Sequence, residues 1–128
     1  MQMSPEVSAL LSRPNHAVVG VNRRDGAPQL TVVWYLWDGE EFSFSTTTER
    51  AKYLNLRRDP AVSLLVNDSE HAWYVVAYGV AQLGARDHAA VSRELFARYL
   101  PDRDPSAVAA DPSRIVVTLR PERLLVGR

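Results

Sequence analysis

The chain has 128 residues, enough for a single domain spanning residues 1–128 with its own core. Lys plus Arg and Asp plus Glu number 15 each, so net charge is zero, which argues against a nucleic-acid binder, and a hydrophobic fraction of 46% argues against disorder. There is no cysteine, which excludes disulfides, thiolate metal sites and a cysteine nucleophile.

No apolar run approaches the ~18 residues of a membrane span. The N-terminal stretch MQMSPEVSALL lacks a basic n-region and a proper h-region, so no signal peptide is read and a cytoplasmic location is expected. Ser4-Pro5-Glu6 has the order of a helix start: a serine cap, proline at the first position and an acid in the first turn. That helix is expected to run to about Arg13 and stop at Pro14, with Val7, Leu10 and Leu11 as its apolar stripe. A valine-rich strand follows from His16 to Asn22, then a turn at Arg24-Asp25-Gly26. Pro28 to Trp37 reads as one long strand. Both of its faces are largely apolar, which implies burial on both sides, by a second subunit or a flat aromatic ligand. Asp38-Gly39 signals a hairpin, and Phe42 and Phe44 alternate with serines on the return strand.

The stretch from Ser43 to Pro60 carries the strongest local signal. Thr46 and Glu49 have capping-box spacing, so a helix is expected to start near Thr46 or Thr47. Arg50 and Lys52 then fall in or beside its first turn, where each cation opposes the helix dipole by a few tenths of a kcal/mol. From Thr46 to Arg58 four cations (Arg50, Lys52, Arg57, Arg58) face one acid, Glu49. Arg57 and Arg58, near the helix C-terminus, are ordinary. Backbone N–H groups, threonine hydroxyls and two cations at the N-terminus would suit a phosphate. A threonine cap with solvated charges accounts for the same residues.

Ala61 to Asn67 reads as a strand, Asn67 to Glu70 as a turn, and Trp73 to Leu83 as a second long strand in which Gly79 marks a bulge or a close backbone approach. Arg86-Asp87 opens a helix to about Leu100, with Val91, Leu95 and Phe96 at helical spacing. Pro101 to Pro112 reads as a polar loop. Ile115 to Leu119 is a strand, broken at Pro121 and resumed from Leu124 to Val126. Hairpins dominate and no G-x-G-x-x-G occurs, so the expected architecture is mainly β: a small antiparallel barrel of about six strands with helices outside.

His16, His71 and His88 have no metal-ligand spacing and are read as structural or exposed. No G-x-S-x-G elbow and no paired carboxylates are present, so hydrolysis is not supported. Trp34, Tyr35, Trp37, Trp73, Tyr74 and Tyr78 form two aromatic clusters, which suit core packing, a dimer interface, or the flanks of a planar ring. A phosphate anchor beside aromatic-rich strands fits a flavin-like cofactor.

Two runs carry a resemblance: P-x-x-x-x-V-W-Y-L-W-D-G from Pro28 to Gly39, and R-A-K-x-x-N-L-R-R-D-P-x-V-S-L-L-V from Arg50 to Val66. With them the chain resembles the pyridoxamine-phosphate-oxidase-like split β-barrel family, in its branch of actinobacterial deazaflavin (coenzyme F-420)-dependent reductases. The resemblance implies a homodimer of six-stranded split barrels with cofactor bound in grooves at the subunit interface. Lys52 would contact phosphate, flanked by Arg50 and Ala51; Ser45, Thr46 and Thr47 would line the same pocket. Thr31, Val32, Val33 and Trp34 would run beneath the ring system, and Trp73 and Tyr78 would come from the second subunit. The cofactor would be coenzyme F-420, with FMN as the alternative. The activity would be hydride transfer from reduced F-420 to a small conjugated or quinone-like acceptor, with no catalytic side chain required and solvent or Tyr35 as proton source. An FMN-dependent oxidase or reductase, or a non-catalytic cofactor-binding protein, are the other readings. The chain departs from the oxidases in lacking an arginine and a lysine along Thr31 to Leu36, in having Ala51 where they have an arginine, and in stopping at Arg128. Some deazaflavin-binding relatives have asparagine at the position of Val32.

Overall fold

The computed structural model describes residues 3–128. Helix α1 (Pro5–Ser12) begins as its sequence requires: Ser4 Oγ accepts the Val7 N–H at 3.1 Å, and Pro5 takes a position that needs no donor. Val7, Leu10 and Leu11 are buried against the sheet.

Strands β1 (Ala17–Asn22), β2 (Pro28–Val33), β3 (Leu36–Trp37), β4 (Phe42–Thr47), β5 (Ala61–Asp68), β6 (Trp73–Leu83) and β7 (Arg114–Gly127) form one antiparallel sheet in the order β2-β1-β5-β6-β7-β4-β3. Its two edges, β2 and β3, are consecutive in the chain. The sheet is therefore curled until its edges meet at Trp34-Tyr35, giving a split barrel whose interior holds Phe42, Phe44, Leu64, Val75 and Leu119. Helix α2 (Ala51–Arg58) touches both β1 and β4, which are not hydrogen-bonded neighbours, so it bridges the split. Helices α3 (His88–Tyr99) and α4 (Ser106–Ala109) pack on one another, and α3 covers β4 and β7.

The fold class is the expected one, with seven strands in place of six. The expected single strand from Pro28 to Trp37 is broken, because pairing with β1 ends at Val33 and pairing with β4 begins at Leu36. Tyr35 at the break turns fully into the core. Its N–H is held by Tyr99 Oη and its own hydroxyl donates to the Leu11 carbonyl at 2.9 Å. Nor is this segment buried on both faces within one chain: Leu30 and Val32 are 65% and 67% exposed.

The capping box does not form. The ladder to β7 carries β4 through Thr47, opposite Arg114, and Thr46 is a buried strand residue. The helix starts later, at Ala51, with Arg50 as an N-cap that makes no side-chain bond. Pro121 does not break the last strand. Tyr78 faces Arg123 and Gly79 faces Pro121, so a bulge absorbs Glu122 and β7 continues. A Cβ on Gly79 would lie 2.6 Å from Leu119 Cδ1 and 2.8 Å from the Arg120 carbonyl oxygen, so the close approach read from the sequence is real. The expected polar loop holds the short α4. Asp38-Gly39 makes its turn: Gly39 has φ +98° and Asp38 Oδ1 accepts the Glu40 and Glu41 N–H groups.

Candidate functional site

A cleft of about 460 Å³ opens where the end of β4, the start of α2, the end of β2 and the outer helices converge. β2 supplies Val32 and Val33, with Trp34 just beyond it; β4 supplies Ser45 and Thr46. Arg50 is the N-cap of α2 and Lys52 lies in its first turn; Ser92, Leu95 and Phe96 come from α3, Val108 from α4 and Arg114 from β7. His16 completes the lining.

The electrostatics are one-sided. Lys52 is 7% exposed, its ammonium lies over the Phe44 ring, and no ion pair among the described residues includes Lys52 or Arg50. Burial, and then the Arg50 charge, lower its affinity for a proton below that of an ordinary lysine. An unpaired buried cation is costly, and an anion in the cleft would relieve that cost.

The hydroxyls point the same way. Among the described residues seven buried side-chain polar atoms lack a hydrogen-bond partner, and four of them belong to residues that line this cleft: Ser45 Oγ, Thr46 Oγ1, Ser92 Oγ and Arg114 Nε. Each such group costs about 1–3 kcal/mol when nothing satisfies it. With Lys52 and Arg50 their residues give the cleft a lining rich in donors.

Beside these donors the walls are apolar and flat. Trp34 stacks on Tyr99 at 5.2 Å with 5° between planes, Phe96 meets Trp34 edge-on, and His16 stacks on the other ring, Tyr99, at 6.0 Å. Together with Val33 and Leu95 this suits a planar ring system.

Of the residues singled out from the sequence, the cleft gathers Val32, Val33, Trp34, Ser45, Thr46, Arg50 and Lys52. Thr31 lies behind it on β2, opposite Val19. Thr47 follows Thr46 on β4, and Ala51 is the exposed first residue of α2. Trp73 sits in the barrel core of the same chain, its indole N–H donating to Asp68 at 2.9 Å. Tyr78 lines a different cleft, of about 520 Å³, with Gly20, Ser63 and Arg123. Tyr35 does not line the site; burial, and then Tyr99, push its hydroxyl up to about 12 against the lowering effect of Arg98.

Sequence reasoning missed Ser92, Arg114, Leu95, Phe96, Val108 and the placement of His16. Ser92 had a signal, as a serine inside the apolar face marked by Val91, Leu95 and Phe96. Arg114, one arginine before a strand, had none. Among the described residues no group of three or more His, Cys, Asp or Glu side chains could hold a metal ion, and no helix is long and apolar enough to cross a membrane.

The sequence matches a family profile described as pyridoxamine 5'-phosphate oxidase over residues 3–126. A solved structure titled F420 Reductase is 31% identical, with a TM-score of 0.85 over 96% of this chain and 98% of that one. A conserved hypothetical protein from Mycobacterium tuberculosis is 27% identical, with a TM-score of 0.82 over 99% and 86%. The fold extends to a putative pyridoxamine 5'-phosphate oxidase from Listeria innocua, 21% identical with a TM-score of 0.72 over 94% of each chain.

Proposed function

The chain belongs to the pyridoxamine 5'-phosphate oxidase family of split β-barrels, and on that premise we propose that it is an oxidoreductase that binds coenzyme F-420 in the cleft and reduces a small conjugated or quinone-like acceptor. The single observation that carries this is the buried, unpaired Lys52 converging with Arg50 and the unpartnered Ser45 and Thr46 hydroxyls on one cleft.

The residues present fit a phosphate-bearing deazaflavin. Lys52 and Arg50 would hold the phosphate by charge-assisted bonds, with the Thr46 hydroxyl donating to one of its remaining oxygens. Val33, Trp34, Leu95 and Phe96 would flank the ring and exclude water from it. When bound, the reduced deazaflavin supplies the hydride. No side chain of this chain is required as a nucleophile, and the half-open cleft leaves room for solvent to deliver a proton. The 31% identity to an F420 reductase favours the deazaflavin over FMN. FMN is the second reading, since the same donors suit its phosphate. Synthesis of pyridoxal phosphate is not supported, because Thr31 to Leu36 carries no cation.

The working unit is a homodimer. Val32, Val18, Leu65, Val76 and Leu125 are consecutive cross-strand partners, forming one apolar row across β2, β1, β5, β6 and β7 on the face away from the core. Val32 and Leu125 remain exposed in one chain. A second copy laid on this row would bury it and bring its own residues to the Val32 edge of the cleft.

A fluorescence titration with F-420, run in parallel with FMN, tests the reading. Tight F-420 binding with weak FMN binding is expected. Preference for FMN moves the protein to the flavin-dependent members of the family, and binding of neither removes the cofactor assignment.

A further inference from the structure

The register of β4 sorts the cleft's polar groups onto two faces. Phe44 lies opposite Val117, and both belong to the barrel core. Thr46, opposite Ile115, shares that face, as does the Lys52 ammonium over the Phe44 ring. Ser45 lies opposite Val116 and Thr47 opposite Arg114, on the other face. There Val116 packs with Val91 and Leu95 of α3. Three of the four unpartnered atoms, Ser45 Oγ, Ser92 Oγ and Arg114 Nε, therefore belong to the layer between α3 and the sheet. Only Thr46 Oγ1 belongs with Lys52.

Ser92 is an odd residue for its place. A helical serine usually faces solvent or bonds the carbonyl one turn back. Ser92 does neither: it is 1% exposed and its hydroxyl has no partner. Alanine would fill the same space with higher helix propensity. Arg114 is only loosely engaged, in an ion pair with Asp111. Its Nε lies 3.8 Å from Asp111 Oδ2, beyond hydrogen-bond reach, and Asp111 Oδ1 already accepts the Ser113 N–H and hydroxyl. Two hydroxyls and a guanidinium N–H of cleft-lining residues are thus buried without a hydrogen-bond acceptor.

We propose that Ser45, Ser92 and Arg114 form a second anion-binding subsite, which takes a carboxylate or phosphoryl oxygen from a ligand whose first acidic group is held by Lys52 and Arg50. This rests on the cleft being the ligand site of the proposed function and deepens it: the protein selects ligands with two acidic groups. A ligand with one phosphate fills one grip and leaves the other empty.

Inorganic phosphate, titrated into the full-length protein and followed by ¹H–¹⁵N NMR, tests this without a cofactor. In the wild type, two sets of amides should move: those of Arg50 and Lys52, and those of Ser92 and Arg114. In Lys52→Ala the second set should still respond. Arg114→Gln should weaken that second response about tenfold, the effect of losing one charge-assisted contact, while the first set is kept. Ser92→Ala should act in the same direction and covers the case in which Arg114→Gln does not fold. The proposal is overturned if the Ser92 and Arg114 amides stay still, or move only while Lys52 is intact. Failure of F-420 to bind, with both phosphate responses present, would remove the cofactor assignment and leave the subsite; the reverse pattern would remove the subsite alone.

Discussion

The Lys52 ammonium lies 5.6 Å from the centroid of the Phe44 ring, inside the mouth of the barrel and without a carboxylate partner among the described residues. The aromatic face attracts the cation, but one ring does not replace its water. Free of ligand, this lysine is held at a cost.

Two effects of Lys52 should separate on substitution. Lys52→Ala should weaken F-420 binding by about 1.5–3 kcal/mol, the range for a hydrogen bond to a charged group. Stability should move the other way. The lysine's proton affinity is lowered on folding, so the unfolded chain binds that proton more tightly. Its contribution to stability therefore rises as pH climbs from the folded value toward the unfolded value of about 10.4. Ligand-free Lys52→Met should be at least as stable as wild type at pH 7, and its advantage should shrink toward pH 10. Urea unfolding of both proteins across that range reads the difference; an advantage that does not shrink would contradict the assignment.

Asp68 ties the β5–β6 turn to the N-terminal segment through a 3.2 Å ion pair with Arg13. Burial pushes its carboxyl up, but hydrogen bonds from the His71 ring, the Glu70 N–H, the Trp73 indole and the His71 N–H outweigh it and hold the group at about 2. A depressed carboxyl stabilises the fold above its unfolded value near ~3.9, and that stability is lost as pH falls through about 2. Asp68→Asn should lower the thermal midpoint at pH 7, and the gap to wild type should close between about pH 4 and pH 2. A gap that is the same at both ends of this window would show that the carboxylate charge is not what matters.

Gly79 should not tolerate a side chain. The atoms a Cβ would meet include the Arg120 carbonyl, which is backbone and cannot rotate away. Gly79→Ala should cost about 1–3 kcal/mol, as overpacking does. Chemical denaturation measures this, and an unchanged midpoint would mean that the bulge opposite Pro121 relaxes freely.

The apolar row predicts its own test. Leu65→Glu places a charge in the middle of the face that a second copy would cover, directly between Val18 and Val76. Sedimentation velocity should give a dimer for wild type and a monomer for the variant. A wild-type monomer at micromolar concentration would leave the row without its partner.

Much of this was legible locally. Ser4-Pro5-Glu6 encodes α1 because cap, proline and acid act within one turn. Asp38-Gly39 encodes its hairpin because the turn needs a positive φ at one residue. Trp73 to Leu83 reads as a strand, with its special glycine, from pattern alone. The pair Arg50 and Lys52, which the structure brings to one cleft, was visible as cations placed where a helix dipole disfavours them.

Other features were settled by groups far away in the chain. Thr46 and Thr47 look like helix caps, yet Ile115 and Arg114 offer them ladder partners, and a strand forms instead. The break at Trp34-Tyr35 exists because Tyr99, reached from a helix 64 residues on, supplies a hydroxyl to the Tyr35 N–H. Pro121 is tolerated because Gly79 on the neighbouring strand accommodates the bulge.

The site divides along the same line. By itself the sequence determined the antiparallel fold class, the starts of α1 and α3 and the clustering of Arg50 and Lys52 near a helix N-terminus, because each depends on residues within a turn or a hairpin of one another. The tertiary structure alone decided that Ser45, Thr46, Ser92 and Arg114 share a cleft with Lys52 and that their polar atoms lack partners there. Whether a hydroxyl is satisfied depends on every group that packs around it, and those groups come here from β4, α3 and β7.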